Sequence, residues 1–133
     1  MLKAVLFDMD GVIVDTEPLH HKAYKFMFSE VGIKVSDVMY EGFTGQSTHA
    51  ICSFLCKNFK LKQSPQELVQ LKRDRFTKLF HEDDALQLLH GVEELIKDYH
   101  ASGLTLVLAS SASMFTINNV TKRFGLDQYF STK

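Results

Sequence analysis

The chain has 133 residues, with 15 lysines and arginines against 16 aspartates and glutamates, so its formal net charge is −1. Hydrophobic residues make up 45% of the sequence and charged residues 23%, the balance of a soluble globular domain. This composition excludes a disordered chain, a disulfide-rich scaffold and a collagen-like repeat. The near-neutral charge also argues against a protein that binds nucleic acid.

No apolar run reaches the 18 residues of a membrane span, and the first one, residues 4–7, is too short for a signal peptide. Cys52 and Cys56 lack the C-x-x-C spacing of zinc and redox sites, and on a helix they would share one face. We therefore expect free thiols, no membrane partner and, by default, a reducing cytoplasmic location.

Hydrophobic periodicity and capping residues divide the chain into strands and helices. Asp8 ends the first apolar run, and Ser64-Pro65-Gln66-Glu67 is a strong helix start because Ser64 can cap and Pro65 fits the first turn. In chain order the pattern predicts a strand over 2–7, helices over 17–31, 47–59 and 64–80, a polar linker over 81–84, a helix over 92–103, a strand over 104–109, a turn over 110–112 and a helix over 113–124.

The helix that precedes the second strand can serve as a right-handed crossover, which makes the two strands parallel. The sequence thus predicts an α/β sheet in which both strands end at one edge, where ligands bind in such folds. Asp8 and Ser110 follow the two strands at that edge. Ser110 also lies just before a predicted helix, where free backbone N–H groups favour anions. The alternative for Ser110 is a plain helix N-cap, and the two roles can coexist.

The first strand runs into Asp8-Met9-Asp10-Gly11, which places two carboxylates two residues apart in a tight turn. One carboxylate can act as a nucleophile while the other handles a proton. Because like charges this close repel, we expect a cation between them, and carboxylate oxygens suit Mg²⁺. Gly11 permits a sharp turn that presents backbone N–H groups to an anion.

The string D-M-D-G-V-I-V-D-T-E after an apolar strand resembles the first motif of the haloacid dehalogenase superfamily, and Leu106–Ser113 resembles the second motif. The subgroup it resembles is that of β-phosphoglucomutase-like enzymes and sugar-phosphate phosphatases. This resemblance implies a Rossmann-like parallel-sheet core over 1–16 and 82–133, incomplete here, with an inserted α-helical cap over 17–81.

The resemblance also implies roles for the two motifs. Asp8 would be the nucleophile that forms an aspartyl-phosphate, and Asp10 would protonate the leaving group and later activate water. Mg²⁺ would be held by the Asp8 carboxylate and the Asp10 main-chain carbonyl. Ser110 would bind the phosphoryl group with the backbone amides of Met9, Asp10 and Ser111.

Further candidates come from the predicted helical cap. The segment 44–48 resembles the substrate-specificity loop of the family, although it also fits a plain helix entry. His20 stands where mutases carry a hinge histidine, and Lys72 resembles a cap lysine that faces a phosphosugar, but surface positions would suit both residues. The implied substrate and cap residues are Thr16, His20, Gly45, Gln46, Ser47 and Lys72.

Thr44 and Thr48 stand where mutases carry basic residues that grip a second phosphate. The sequence therefore favours a Mg²⁺-dependent phosphatase of a small phosphorylated metabolite, monomeric when complete. A phosphosugar mutase remains the alternative.

The third family motif, a lysine, and the fourth, an acidic pair, have no counterpart in the 133 residues. We therefore expect the chain to be the N-terminal part of the family's fold. By itself it should show little turnover and fold poorly, because a sheet edge would lack its neighbour. The alternative from another functional class is that the chain is not an enzyme, but a truncated non-catalytic fragment or a binding protein.

Overall fold

The computed structural model describes all 133 residues, which form three strands and six helices. Contacts divide the chain into two compact units, a sheet unit of Met1–Glu17 with Asp84–Lys133 and a helical unit of Pro18–Asp83. None of the helices is long and apolar enough to cross a lipid bilayer. In chain order the elements are β1 (Ala4–Phe7), α1 (Glu17–Glu30), α2 (Asp37–Glu41), α3 (Thr48–Asn58), α4 (Pro65–Glu82), α5 (Val92–Ala101), β2 (Thr105–Leu108), α6 (Met114–Arg123) and β3 (Phe130–Thr132).

The sheet unit contains one parallel sheet with strand order β1-β2-β3. In its register Phe7 pairs with Leu108 and Leu106 pairs with Phe130, so β2 lies in the centre. The predicted parallel α/β sheet is thus confirmed. A third strand, β3, joins it although the sequence pattern had shown only two.

Apolar side chains from the strands and from α5 and α6 form the core of the sheet unit. Phe7 packs edge-on against Phe130, with ring centroids 5.8 Å apart, and lies 6.3 Å from the Tyr99 ring. The side chains of β2 alternate, and this alternation buries its second and fourth residues. Deeply buried members of this core include Ile96, Leu106, Leu108, Val120 and Leu126.

In the helical unit, serine side chains start three of the four helices. The hydroxyls of Ser36, Ser47 and Ser64 each accept a hydrogen bond from the backbone N–H three residues later, which satisfies a donor that the first turn leaves open. The helices pack around a core that includes Met27, Cys52, Leu55 and Leu68, all fully buried.

Most predicted boundaries lie within one or two residues of the observed ones, and three differences have a physical reason. The helix α2 was not predicted, because it has only five residues and none of them is buried. The helix α4 continues to Glu82, so half of the expected linker over 81–84 is helical. The strand β1 begins at Ala4, where its register with β2 starts, and the exposed Lys3 contributes only its carbonyl, which accepts from the Thr105 N–H (3.0 Å).

Candidate active site

Asp8 and Ser110 lie at the same edge of the sheet. Asp8 follows β1 directly, and Ser110 comes two residues after β2. The Ala109 N–H donates to the Phe7 carbonyl (2.8 Å), so the two strands stay paired up to this edge. Asp8 is exposed and Ser110 is half-buried, which leaves both accessible to a ligand.

The backbone folds tightly after Asp8. The Met9 carbonyl accepts hydrogen bonds from the N–H groups of Val12 (3.2 Å), Ile13 (2.9 Å) and Val14 (3.3 Å). Gly11 has a φ of +74°, a conformation that side chains with a Cβ rarely adopt, and its N–H donates to the Val14 carbonyl (2.8 Å). The turn that the D-x-D-G spacing predicted is therefore a closed hydrogen-bonded loop.

Buried side chains and two backbone contacts anchor this loop in the sheet unit. The side chains of Met9, Ile13 and Val14 are fully buried. The Leu89 N–H donates to the Ile13 carbonyl (2.9 Å), and Val14 forms an isolated antiparallel bridge with Leu88. A carboxylate on such a loop is held in place by the packing of its neighbours. The side chain of Met9 therefore has a structural role, whereas the sequence had suggested only a role for its backbone amide.

The Asp8 carboxylate is oriented by its own neighbour. The Met9 N–H donates to Asp8 Oδ1 at 2.7 Å. This amide was expected to contact a phosphate, but here it supports the predicted nucleophile. It would have to change its partner in order to bind a phosphoryl oxygen.

Thr16 contacts the second carboxylate of the motif. Its hydroxyl donates a hydrogen bond to Asp10 Oδ1, and its side chain is fully buried while Asp10 is half-buried. Thr16 belongs to the sheet unit, although the resemblance grouped it with the cap residues. The predicted proton-handling residue thus has a fixed donor.

Ser110 lies in the turn between β2 and α6 and does not cap the helix. Its hydroxyl accepts from the Ala112 N–H (3.1 Å), whereas Ser113 is the N-cap of α6 and accepts from the Thr116 N–H (3.2 Å). The suggestion that Ser110 caps this helix is therefore wrong, because α6 begins at Met114 and its N-cap lies three residues after Ser110. Ser110 and the exposed Ser111 remain available at the sheet edge.

The donors at this edge fit Mg²⁺ in type. Carboxylate and carbonyl oxygens, such as those of Asp8 and Asp10, are the ligands that Mg²⁺ prefers. The 133 residues contain no group of three or more His, Cys, Asp or Glu side chains arranged to hold a metal ion. The chain therefore offers part of a magnesium donor set.

In the helical unit, Lys72 and His20 contact each other. Lys72 is only 6% exposed, and its Nζ lies 2.8 Å from His20 Nδ1, 4.9 Å from the Tyr24 ring centroid and 5.2 Å from that of Phe76. The His20 ring stacks on Phe76 with centroids 4.2 Å apart. Since a lysine ammonium only donates, His20 Nδ1 accepts and the imidazole proton lies on Nε2.

The polar side chains of the segment 44–48 form hydrogen bonds with other residues of the helical unit. Gly45 has a φ of +81° and closes the turn. The side-chain partners are the Glu41 carbonyl for Thr44 (2.8 Å), the Gly42 carbonyl for Gln46 (3.1 Å), the Ala50 N–H for Ser47 (3.1 Å) and the Tyr24 hydroxyl for Thr48 (3.3 Å). The segment contains no cationic side chain.

A parallel sheet with a carboxylate loop after one strand and a serine turn after the next defines an α/β protein, a class in which ligands bind at the carboxyl edge of the sheet. Residues 5–132 match the description of the haloacid dehalogenase-like hydrolases. The chain belongs to this family, as the two motifs had indicated.

Relatives of two kinds are similar to the chain. A phosphorylated carbohydrates phosphatase of Thermotoga maritima is 26% identical over 129 residues, which are 97% of this chain and 59% of the relative. The β-phosphoglucomutase of Bacillus subtilis is 30% identical over 116 residues, 84% of this chain and 51% of that enzyme. The crystal structure of β-phosphoglucomutase from Clostridium difficile superposes with a TM-score of 0.83 at 25% identity, over 99% of this chain and 60% of the other. The chain thus spans between half and three-fifths of their length.

Proposed function

We propose that this chain carries the nucleophile and the first phosphate-binding groups of a phosphatase that acts on small phosphomonoesters, sugar phosphates foremost. One observation carries the proposal. Asp8 and Ser110 share an edge of the sheet, and Thr16 holds Asp10 in the closed loop that follows Asp8. Phosphoryl transfer depends mainly on such positioning and on neutralising charge.

In the proposed reaction an Asp8 carboxylate oxygen attacks the phosphorus atom, and the bond from phosphorus to the ester oxygen breaks. Asp10 gives a proton to that leaving oxygen, so the alcohol departs and an aspartyl-phosphate remains. Asp10 then takes a proton from a water molecule whose oxygen attacks the same phosphorus atom. Inorganic phosphate leaves and the Asp8 carboxylate is restored.

The proposal includes Mg²⁺ as a cofactor, held in part by the Asp8 carboxylate and the Asp10 main-chain carbonyl. When bound, it would offset the repulsion between the Asp8 carboxylate and the phosphate oxygens. Ser110 would hydrogen-bond the transferring group through its hydroxyl, together with the backbone N–H of Ser111, an exposed residue.

A phosphatase is favoured over a phosphosugar mutase by the charge of the segment 44–48. A mutase has to hold an intermediate with two phosphates, which calls for cationic groups at the second one. Thr44 and Thr48 are neutral, and their side chains already bond to Glu41 and Tyr24. A phosphatase needs one phosphate site and a water molecule.

The test is a phosphatase assay. The assayed polypeptide carries residues 1–133 together with the further segment that the longer relatives have. We expect release of inorganic phosphate from p-nitrophenyl phosphate and ribose 5-phosphate, dependent on Mg²⁺ and abolished by chelation. Asp8→Asn should lower kcat by at least about 1000-fold, since it removes the nucleophile. Asp98→Asn on the exposed side of α5 is the matched control and should leave kcat unchanged.

Two results would contradict the proposal. Undiminished turnover in Asp8→Asn would remove Asp8 from the reaction. Interconversion of phosphosugar isomers without release of phosphate would establish the mutase alternative.

A further inference from the structure

The turn between β2 and α6 contains three serines whose hydroxyl groups have different partners. The Ser113 hydroxyl accepts from the Thr116 N–H (3.2 Å) and also contacts the Thr116 hydroxyl (3.1 Å), so it serves the start of α6. The Ser110 hydroxyl accepts from the Ala112 N–H (3.1 Å) and closes the turn. Ser111 is exposed, and neither its hydroxyl nor its N–H has a hydrogen-bond partner in the protein. The turn therefore leaves both donors of one serine free for a ligand.

The pairing of β1 with β2 brings Ser111 into the neighbourhood of Asp8. The register pairs Phe7 with Leu108, and the Ala109 N–H donates to the Phe7 carbonyl (2.8 Å). Continuing this register places Ala109 beside Asp8. Ser111 follows two residues later, a stretch of chain that spans at most about 7 Å. All of these residues belong to the sheet unit, so their proximity does not depend on the helical unit.

Most backbone donors of the loop after β1 are already engaged within the loop. The Met9 N–H donates to Asp8 Oδ1 (2.7 Å). Four further N–H groups donate to carbonyls of the same loop, those of Gly11, Val12, Ile13 and Val14. A transferring phosphoryl group spreads its charge over three equatorial oxygens, which need hydrogen-bond donors. Donors for these oxygens must therefore come largely from the other loop at this edge, where those of Ser111 are free.

We propose that the Ser111 hydroxyl donates a hydrogen bond to an oxygen of the transferring phosphoryl group. This inference rests on the function proposed above, in which Ser111 contributes only its backbone N–H. A serine hydroxyl carries one proton that rotates to suit its acceptor, so the N–H and the O–H of Ser111 can both serve the same phosphoryl group. Ser111 would thus be a substrate-binding residue through its side chain.

Ser111→Ala tests the inference in the polypeptide used for the phosphatase assay, because it removes the hydroxyl and keeps the N–H. We expect kcat/KM to fall about 10- to 100-fold, the effect of one hydrogen bond to a charged group. The fall should be the same for p-nitrophenyl phosphate and ribose 5-phosphate, since the two esters share only the phosphoryl group. Ser111→Thr keeps the hydroxyl and should retain most of the activity.

Ser102→Ala is the matched control, because Ser102 is another exposed serine of the sheet unit, in the turn that leads into the opposite end of β2. It should leave kcat/KM unchanged. Urea denaturation should give Ser111→Ala the same midpoint as the unsubstituted protein, and a lower midpoint would contradict the free side chain on which the inference depends. An unchanged kcat/KM in Ser111→Ala, or a fall for ribose 5-phosphate alone, would overturn the inference while the phosphatase proposal stands. Absence of Asp8-dependent hydrolysis of either substrate would overturn both proposals.

Discussion

The hydroxyl of Thr16 donates a hydrogen bond to Asp10 Oδ1 from a fully buried position six residues further along the chain. The bond closes the loop that begins at Asp8 and fixes the direction of the Asp10 carboxylate. A general acid works only from within hydrogen-bond reach of the leaving oxygen, so its orientation matters as much as its charge.

Replacing Thr16 by valine tests this role because valine keeps the shape and removes the donor. We expect Thr16→Val to lower the free energy of unfolding of the polypeptide used for the phosphatase assay by about 1–3 kcal/mol, since a buried hydrogen bond to a carboxylate is lost. Urea denaturation measures the effect. Thr16→Ser keeps the hydroxyl and should recover most of the stability. A Thr16→Val variant as stable as the unsubstituted protein would show that the bond contributes nothing to stability.

The second prediction concerns the positive φ of Gly11. A Cβ at this position would meet no atom within 4 Å, so steric contact with the rest of the protein adds nothing to the effect of substitution. Gly11→Ala should therefore cost only the backbone penalty of a left-handed conformation, about 1–2 kcal/mol in urea denaturation. Gly11→Asn should cost less, because asparagine tolerates this region. An alanine variant as stable as the unsubstituted chain would contradict the turn geometry.

The third prediction is the tautomer of His20. The contact with Lys72 Nζ requires Nδ1 to accept, so ¹⁵N NMR of the imidazole above pH 7 should show the proton on Nε2. In Lys72→Met the donor is gone, and we expect a mixture of both tautomers. Lys78→Met, on an exposed position of the same helix, is the control. A mixture already present in the unsubstituted chain would contradict the observed contact.

Local patterns were sufficient to predict much of the fold. Ser64 and Pro65 defined the start of α4, and the apolar runs before Asp8 and Ser110 defined two parallel strands, because capping and periodicity depend on residues close in sequence. The strand β3 escaped prediction, since three residues with one buried side chain carry no periodicity. Its place in the sheet depends on pairing with β2, more than twenty residues earlier.

In the candidate site too, local sequence predicted some residues but not the contacts between residues distant in the chain. Asp8, Asp10 and Ser110 could be proposed from their positions at strand ends. The contact between His20 and Lys72 joins residues 52 positions apart on different helices, and nothing in the local pattern of either helix encodes it. The sequence suggested each residue singly, and only the packing of α1 with α4 brings them together.

The fourth prediction separates the two cysteines of α3. Cys52 is fully buried, and burial raises the pKa of its thiol from 9.0 to about 11, with Cys56 adding to the rise and the Lys72 ammonium opposing it. Cys56 is half-buried, and burial also raises the pKa of its thiol. Because the thiolate is the reactive form, iodoacetamide at pH 8 should label Cys56 first and Cys52 only on unfolding. Mass spectrometry of the digested chain identifies the labelled residue, and in urea both should react at similar rates.

The raised pKa of Cys52 also links stability to pH. Between pH 9 and about 11 the unfolded chain releases the thiol proton that the folded chain retains, so this group's contribution to stability is complete below pH 9 and is lost as the pH rises towards 11. Cys52→Ala should therefore reduce the fall in urea midpoint between pH 8 and pH 10.5, whatever it does to the midpoint itself. If the urea midpoint fell equally in both proteins, Cys52 would ionise alike in the folded and unfolded states. That result would contradict the burial of this thiol in the helical core.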